Sequence, residues 1–173
     1  MVTTQNGYDL HELLSALQKC IRRGLEEQAV FFAVELDGFG SSGSTTLWNR
    51  LKIIASEDIG CANPIMPILI ETLERSYLRA KEKLNDDSYR LFLVNAVVCL
   101  CRSPHSRIVD DLLHVVYDDS KLIPIPAFAL DGIHTARCTN EGKEEWDKVE
   151  NEPFPNPYKE KAKELVRKYG EPT

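Results

Sequence analysis

Residues 47–64 read LWNRLKIIASEDIGCANP, and this stretch decides how the chain folds. Its apolar side chains recur at the spacing of an amphipathic helix, at Leu47, Leu51, Ile54 and Ala55. Gly60 then predicts the end of the helix as its C-cap. The pair Asn63 and Pro64 predicts a following helix, with asparagine as N-cap and proline at the first helical position.

Three charged residues accompany the apolar stripe of this predicted helix. Arg50 and Glu57 lie two turns apart on one side, and Asp58 continues the stripe itself. A charge that is partly buried needs a partner, because an unpaired charge in an apolar environment is costly. Two interpretations stay open: the charges form ion pairs that fix the packing of helices, or they form a functional charged surface.

The same stretch resembles a signature of the MgsA/RarA family, the clamp-loader-like AAA+ ATPases of replication-fork maintenance. Residues 50–64 match throughout the pattern R-L-x-x-I-A-S-E-D-I-G-x-A-x-P of the C-terminal domain of that family. Residues 15–22 resemble its S-A-L-x-K-S-I-R opening, with Cys20 in place of serine. Residues 103–106 resemble its A-P-K-S element, with His105 in place of lysine.

The tail carries a looser form of the resemblance. Residues 127–137 are similar to the Y-A-L-D-x-H-T-x-R-G segment of stand-alone relatives of this domain, which lack the ATPase half. This chain has one extra residue before His134, and Cys138 stands where glycine is expected.

The resemblance implies an all-α fold without an ATP site. We expect a compact domain of about six core helices over residues 8–120. A C-terminal arm over residues 121–173 then ends in a helix and packs on the core or on a partner chain. The expected role is a non-catalytic oligomerisation module that forms a homotetramer, with no cofactor or metal. Expected partners are a separate AAA+ ATPase or a replication protein, and DNA more weakly. The residues expected to form the interaction surface are Lys19, Arg22, Arg23, Arg50, Glu57, Asp58 and His134.

Composition limits the class of protein. The 173 residues are 43% hydrophobic and 28% charged, which is typical of a globular domain. The formal net charge of −6 argues against a nucleic-acid footprint over the whole surface. No apolar run reaches the roughly 20 residues of a membrane span, and no signal peptide is apparent, so we expect a cytoplasmic protein. The five cysteines include no C-x-x-C pair, which predicts reduced thiols rather than a zinc site.

The first predicted helix, over residues 9–23, gathers cations near its end. Its apolar face is formed by Leu10, Leu13, Leu14, Leu17 and Ile21. Lys19, Arg22 and Arg23 lie in the last turn, where cations favour the helix dipole. The alternative is a small patch that contacts phosphates of DNA.

Residues 38–45, GFGSSGST, have the G-x-x-x-x-G spacing of a phosphate-binding loop. The preceding residues 26–37 are consistent with a buried helix or with a strand, and only a strand would suit such a loop. The lysine that should follow the second glycine is Ser44, so nucleotide binding is disfavoured. We expect instead a flexible Gly/Ser connection between helices, with Ser44 or Thr45 as N-cap.

Residues 89–102 are apolar almost all round and predict a central buried helix. A further helix over 106–117 is expected to turn one face inward, made of Ile108, Val109, Leu112, Val115 and Val116. Arg107, Asp110, Asp111, His114 and Asp118 fall on the opposite stripe. A metal shared by Asp110 and His114 is a minor alternative.

A small metal-dependent hydrolase is the alternative enzyme hypothesis. It would use His11, His114 or His134 together with Asp110 or Asp111. In the tail, residues 141–149 predict a short acidic helix, and residues 158–169 predict an amphipathic one that must bury its apolar stripe.

Overall fold

The computed structural model describes residues 3–4, 6–84, 86–118, 122–145, 148 and 153–169. Within these residues the regular structure is helical, and β pairing is limited to two isolated bridges. The all-α fold is therefore confirmed. The α-helices are α1 (Leu10–Arg22), α2 (Glu26–Asp37), α3 (Gly40–Ile54), α4 (Met66–Lys83), α5 (Arg90–Arg102), α6 (Ile108–Asp118), α7 (Asn140–Glu145) and α8 (Lys159–Tyr169).

The chain divides into two compact units, residues 1–120 and residues 121–173. The first unit contains α1 to α6, and the second contains α7 and α8. The packing of the arm on the core or on a partner chain stays a prediction. In the described part of the chain, no helix is long and apolar enough to cross a membrane.

The core of the first unit begins with α1, whose sequence dictates both its start and its buried face. The Asp9 carboxylate caps it by accepting hydrogen bonds from the backbone N–H groups of His11 and Glu12, at 2.9 and 3.1 Å. Its leucines pack on α2, and α2 packs in turn on α3 and α5. The centre of this core is almost fully excluded from solvent and includes Leu17, Ile21, Ala33, Leu36, Trp48, Leu51, Ile70, Tyr77 and Leu100.

Helix α5 is central, but only one of its faces is buried. That face consists of Leu93, Ala96, Val97, Leu100 and Cys101. Leu91, in its first turn, is 69% exposed. The apolar composition of residues 89–102 predicts burial on all sides of the helix, and this part of the prediction is wrong.

The predicted flexible connection over residues 38–45 is wrong, because α3 already begins at Gly40. Ser44 is a buried residue inside this helix and not its N-cap. Gly43 explains why a Gly/Ser-rich segment is helical here. A Cβ atom at Gly43 would overlap the carbonyl oxygen of Leu36 and the Cβ of Phe39, so α3 can approach the end of α2 only without a side chain there.

The end of the long helix is as predicted at Gly60 but not beyond it. A π-helical turn, Ala55–Ile59, continues α3 and ends at Gly60, which has φ +47°. The next helix, α4, begins at Met66, so Asn63 and Pro64 are not its N-cap and first residue. A short 3₁₀ turn occupies residues 60–62 instead.

The orientation predicted for α6 is wrong. No residue of α6 is buried. The exposed fractions of its apolar residues range from 43% at Val109 to 82% at Tyr117. On the opposite side of the helix, Asp110 is turned toward the rest of the unit, with a side chain only 15% exposed and paired with Arg107, whereas Asp111, His114 and Asp118 are exposed. The apolar face of α6 is therefore an open surface of the first unit.

In the second unit, the predicted acidic helix is present as α7, and residues 146, 147 and 149 of that prediction lie outside the described part. A 3₁₀ turn, Ala127–Ala129, packs on α7. The Asp131 carboxylate accepts hydrogen bonds from the backbone N–H groups of Ile133 and His134, both at 2.9 Å. The predicted amphipathic helix is present as α8.

The close approach at Gly43 gives a test of the packing between α2 and α3. We expect Gly43→Ala to lower the free energy of unfolding by about 1–3 kcal/mol, because the added methyl group overlaps backbone that must move. Ser42→Ala, at an exposed position of the same helix, is the matched control and should change it by less than about 0.5 kcal/mol. Urea denaturation measures both, and equal midpoints would contradict this account of the helix start.

Candidate functional site

The π-helical turn at the end of α3 presents two neighbouring carboxylates in different environments. The Asp58 side chain has no solvent exposure, whereas Glu57 is 25% exposed. Turns of this kind are rare and often mark functional sites. A fully buried carboxylate also requires donors, because its desolvation is otherwise uncompensated.

Donors from two other elements surround Asp58. From α1, the Gln18 amide donates to both acids at 2.8 Å, and Arg22 Nη2 lies 2.7 Å from Asp58 Oδ1. From the segment before α6, Arg107 Nη1 lies 3.2 Å from Asp58 and 3.3 Å from Glu57. The carboxylate therefore has charge-assisted partners on both sides. We call this group, together with Asp110, the Asp58 cluster.

The Asp58 cluster fixes where α6 starts. Arg107 pairs with Asp110 in the first turn of α6 as well as with the π-helical turn. The backbone N–H of Ser106 also donates to the carbonyl oxygen of Asp58, at 2.9 Å. Side-chain and backbone bonds thus hold the N-terminus of α6 against the end of α3, with Asp110 turned inward.

A shallow polar depression of about 200 Å³ opens beside the cluster. It is lined by Ser15, Gln18, Lys19, Arg22, Glu57 and Arg107. Arg50 reaches the same region, because its Nη1 donates to the Gln18 side-chain oxygen at 3.3 Å. Of the residues predicted to form an interaction surface, five therefore lie in or next to the cluster: Lys19, Arg22, Arg50, Glu57 and Asp58.

The other two predicted surface residues lie apart from the cluster's bonds. Arg23 is exposed and donates to the Lys19 carbonyl oxygen of its own helix at 2.9 Å. His134 belongs to the second unit, where its Nδ1 lies 2.7 Å from Asp131. This hydrogen bond lowers the pKa of Asp131 well below its usual range.

Sequence reasoning missed Gln18, Arg107 and Asp110. Gln18 lies one turn before Arg22 on α1, so its helical position could have indicated it. Arg107 and Asp110 are predicted on the stripe opposite the apolar face of α6, and only the tertiary fold brings Arg107 to Asp58, 49 positions earlier.

A second opening, an apolar groove of about 370 Å³, lies between the end of α3 and α6. Its apolar lining is formed by Ile53, Val109 and Leu113, each about half exposed. The polar rim includes Lys52, Glu57 and Asp110. This groove is continuous with the open face of α6, because Val109 and Leu113 belong to both.

The segment with phosphate-loop spacing has a structural role. Asp37, at the end of α2, accepts hydrogen bonds from Ser44 and Tyr77, both at 2.5 Å. Lys81 donates to the Tyr77 hydroxyl at 2.7 Å. Burial and the bond to Asp37 raise the pKa of Tyr77. The preceding element is a helix and the Ser44 hydroxyl is engaged by a carboxylate, so the segment is not a phosphate-binding loop.

Of the groups named in the hydrolase hypothesis, Asp110, His114 and His134 are engaged in local pairs. His114 Nδ1 lies 2.7 Å from Asp118, and its Nε2 lies 3.9 Å from Asp110. The hydrogen bond to Asp118 raises the pKa of His114. Asp110 is itself paired with Arg107. Among the described residues, no group of three or more His, Cys, Asp or Glu side chains could hold a metal ion.

All five cysteines are free. Burial raises the pKa of the Cys101 thiol to about 11, which keeps this group protonated at neutral pH.

Fold and site define a class: an all-helical domain in which a buried ionic cluster orients a helix with an open apolar face. No protein-family model matches the chain. Over 103 residues the chain is 33% identical to Replication-associated recombination protein A of Bacillus subtilis (strain 168), and it is related to that protein over this part of its length. The match covers 59% of this chain and 23% of the relative, so the chain spans less than a quarter of the protein that it matches.

The geometry of the Asp58 cluster predicts that Asp58 contributes more than Glu57 to the free energy of unfolding. Asp58→Asn should lower the free energy of unfolding by about 2 kcal/mol, because it leaves Arg22 and Arg107 without their buried counter-charge. Glu57→Gln, at the more exposed position, should cost less than half of this. Arg23→Gln is the control and should have almost no effect. Urea denaturation of the three variants measures the differences. Equal effects of Asp58→Asn and Arg23→Gln would contradict the claim that buried Asp58 stabilises the first unit.

Proposed function

We propose that this chain is a non-catalytic assembly module that associates with copies of itself, in the context of DNA replication or recombination. The proposal includes a finer relationship, namely that the chain corresponds to the C-terminal, oligomerising domain of the MgsA/RarA ATPases. It also includes the homotetramer expected from that relationship.

Two sequence features support the relationship. The match to a protein named for replication-associated recombination supplies the biological context. The pattern over residues 50–64 contains both acids of the π-helical turn, Glu57 and Asp58, and the pattern over residues 15–22 ends at Arg22, their partner on α1. The two patterns that carry the resemblance thus meet in one ionic cluster.

The single observation that carries the proposed assembly is the open apolar face of α6. Seven of its eleven residues are apolar and at least 43% exposed: Ile108, Val109, Leu112, Leu113, Val115, Val116 and Tyr117. Covering these side chains would remove them from water, and burial of apolar surface is the main driving force of most protein–protein association. Contiguous exposed apolar patches on a protein surface commonly mark interaction sites.

Five of the seven predicted interaction residues then divide into two roles. Arg22, Glu57 and Asp58 act as positioning residues, because they hold the start of α6 in place while bonding mainly to one another. The exposed cations Lys19 and Arg23 are the ones available to an outside partner. Because only these two cations are available beside the cluster in the described part of the chain, this region suits a protein contact better than extended DNA binding, which uses many phosphate contacts.

A separate AAA+ ATPase or a replication protein would be the partner of the assembled module. In this proposal these 173 residues supply the assembling part, and ATP hydrolysis belongs to the partner ATPase. His114 and His134, held in local pairs with Asp118 and Asp131, have no assigned catalytic role in this proposal.

Native mass tests the proposal. Light scattering on the full chain should give about four times the chain mass of 19.6 kDa. Leu112→Glu, on the open face of α6, should shift the mass toward that of one chain, because it places a charge in a buried interface. Leu91→Glu, at a 69% exposed leucine of α5, is the matched control and should leave the mass unchanged. A wild-type chain that stays monomeric at high concentration would contradict the proposed function.

A further inference from the structure

The open face of α6 is acidic as well as apolar. Within Ile108–Asp118 there are three aspartates and no lysine or arginine. Asp110 is turned toward Arg107, whereas Asp111 and Asp118 are exposed. A partner element that covers this face must therefore offer apolar side chains together with positive charge.

The same chain contains an element with the complementary composition. Helix α8, Lys159–Tyr169, has five cationic residues and two glutamates, a formal charge of +3 against −3 for α6. Its apolar residues recur at helical spacing, at Tyr158, Ala162, Leu165, Val166 and Tyr169. Tyr158 and Leu165 are 75% and 47% exposed, so part of this stripe is also open.

The area needed for a stable interface is a second reason to expect contact between α6 of one copy and α8 of another. A stable interface removes about 800 Å² from each partner, and one face of α6, a helix only about 16 Å long, is a small surface for this purpose. In a reciprocal exchange each copy contributes both its α6 and its α8, so two faces per copy are covered instead of one. Such an exchange brings the buried area closer to what a stable dimer requires, and two such dimers would form the proposed tetramer.

We propose that α8 of one copy docks on the apolar, acidic face of α6 of a second copy. The inference rests on the proposed function and names the contact through which copies associate. The mode is that of an amphipathic helix seated on an apolar surface. Leu165 and its apolar neighbours contact the α6 stripe, and the lysines of α8 lie opposite Asp111 and Asp118.

Zero-length cross-linking of the full chain tests the contact directly. Carbodiimide couples a lysine amine to a carboxylate only where the two groups touch. A 1:1 mixture of chains with natural and heavy nitrogen should give cross-links of Lys159 or Lys161 to Asp111 or Asp118. About half of these cross-linked peptides should contain one light and one heavy partner.

The outcomes separate the inference from the proposed function. Cross-links with both partners always of the same isotope would show that α8 docks on its own chain, and would overturn the inference. An oligomer without any α6–α8 cross-link would also overturn it while leaving self-association intact. A monomeric chain in light scattering would instead overturn the proposed function itself.

A variant in α8 supplies a second readout. Leu165→Glu should reduce the mixed-isotope cross-links at least tenfold and weaken association to a similar extent, as Leu112→Glu does from the other side of the contact. Leu91→Glu again serves as the control and should retain both signals. Circular dichroism of each variant confirms that the helices are still formed. A folded Leu165→Glu variant with undiminished cross-links would contradict the contact.

Discussion

The burial of the Asp58 carboxylate is the constraint on which the first unit depends. A carboxylate with no solvent exposure must be compensated, and here Gln18, Arg22 and Arg107 supply the donors. These residues come from two elements far from Asp58 in the sequence. One charged group therefore ties α1, the end of α3 and the start of α6 to one arrangement. The π-helical turn contributes to this compensation, because it presents Glu57 and Asp58 to a common set of donors.

This constraint determines what α6 can offer. The pairing of Arg107 with Asp110 holds the first turn of α6 with Asp110 toward the cluster. In this orientation none of the apolar residues of α6 is buried. An ordinary amphipathic helix does the opposite, because burial of its apolar face is its main source of stability in a protein. The exposed stripe is thus a consequence of satisfying a buried charge, and association with another surface is what would restore its burial.

The sequence predicted the elements of the fold better than their orientation. The leucine spacing of α1 and the Gly60 stop follow from local chemistry, and both are present. The periodicity of α6 correctly identified an apolar stripe, but a period cannot indicate whether that stripe is covered by the same domain. The helical start of α3 was missed because glycine and serine have low helix propensity. There, the close packing of Gly43 on the end of α2 overrides that propensity.

The sequence predicted only part of the site, because local patterns identify the buried acids but not their distant partners. Charges next to a buried stripe indicated that Glu57 and Asp58 needed partners, and an ion pair between elements was one of the two interpretations. The identity of Arg107 and Gln18 as partners depends on contacts between positions 40 to 50 residues apart. Such contacts leave no local pattern in one sequence. The resemblance to the MgsA/RarA patterns did identify two stretches that contribute to the site, residues 15–22 and 50–64, because these contain Arg22 and both acids.

Hydrogen exchange of the α6 backbone, over residues 108–118, would test the central claim most directly. The full chain would be compared at low and at high concentration under the same solvent conditions. If the open apolar face is an assembly surface, protection of these amides should rise with concentration, while the amides of the buried α3 core remain equally protected. Protection of α6 that does not change while the native mass increases would show that copies associate elsewhere, and would contradict the account.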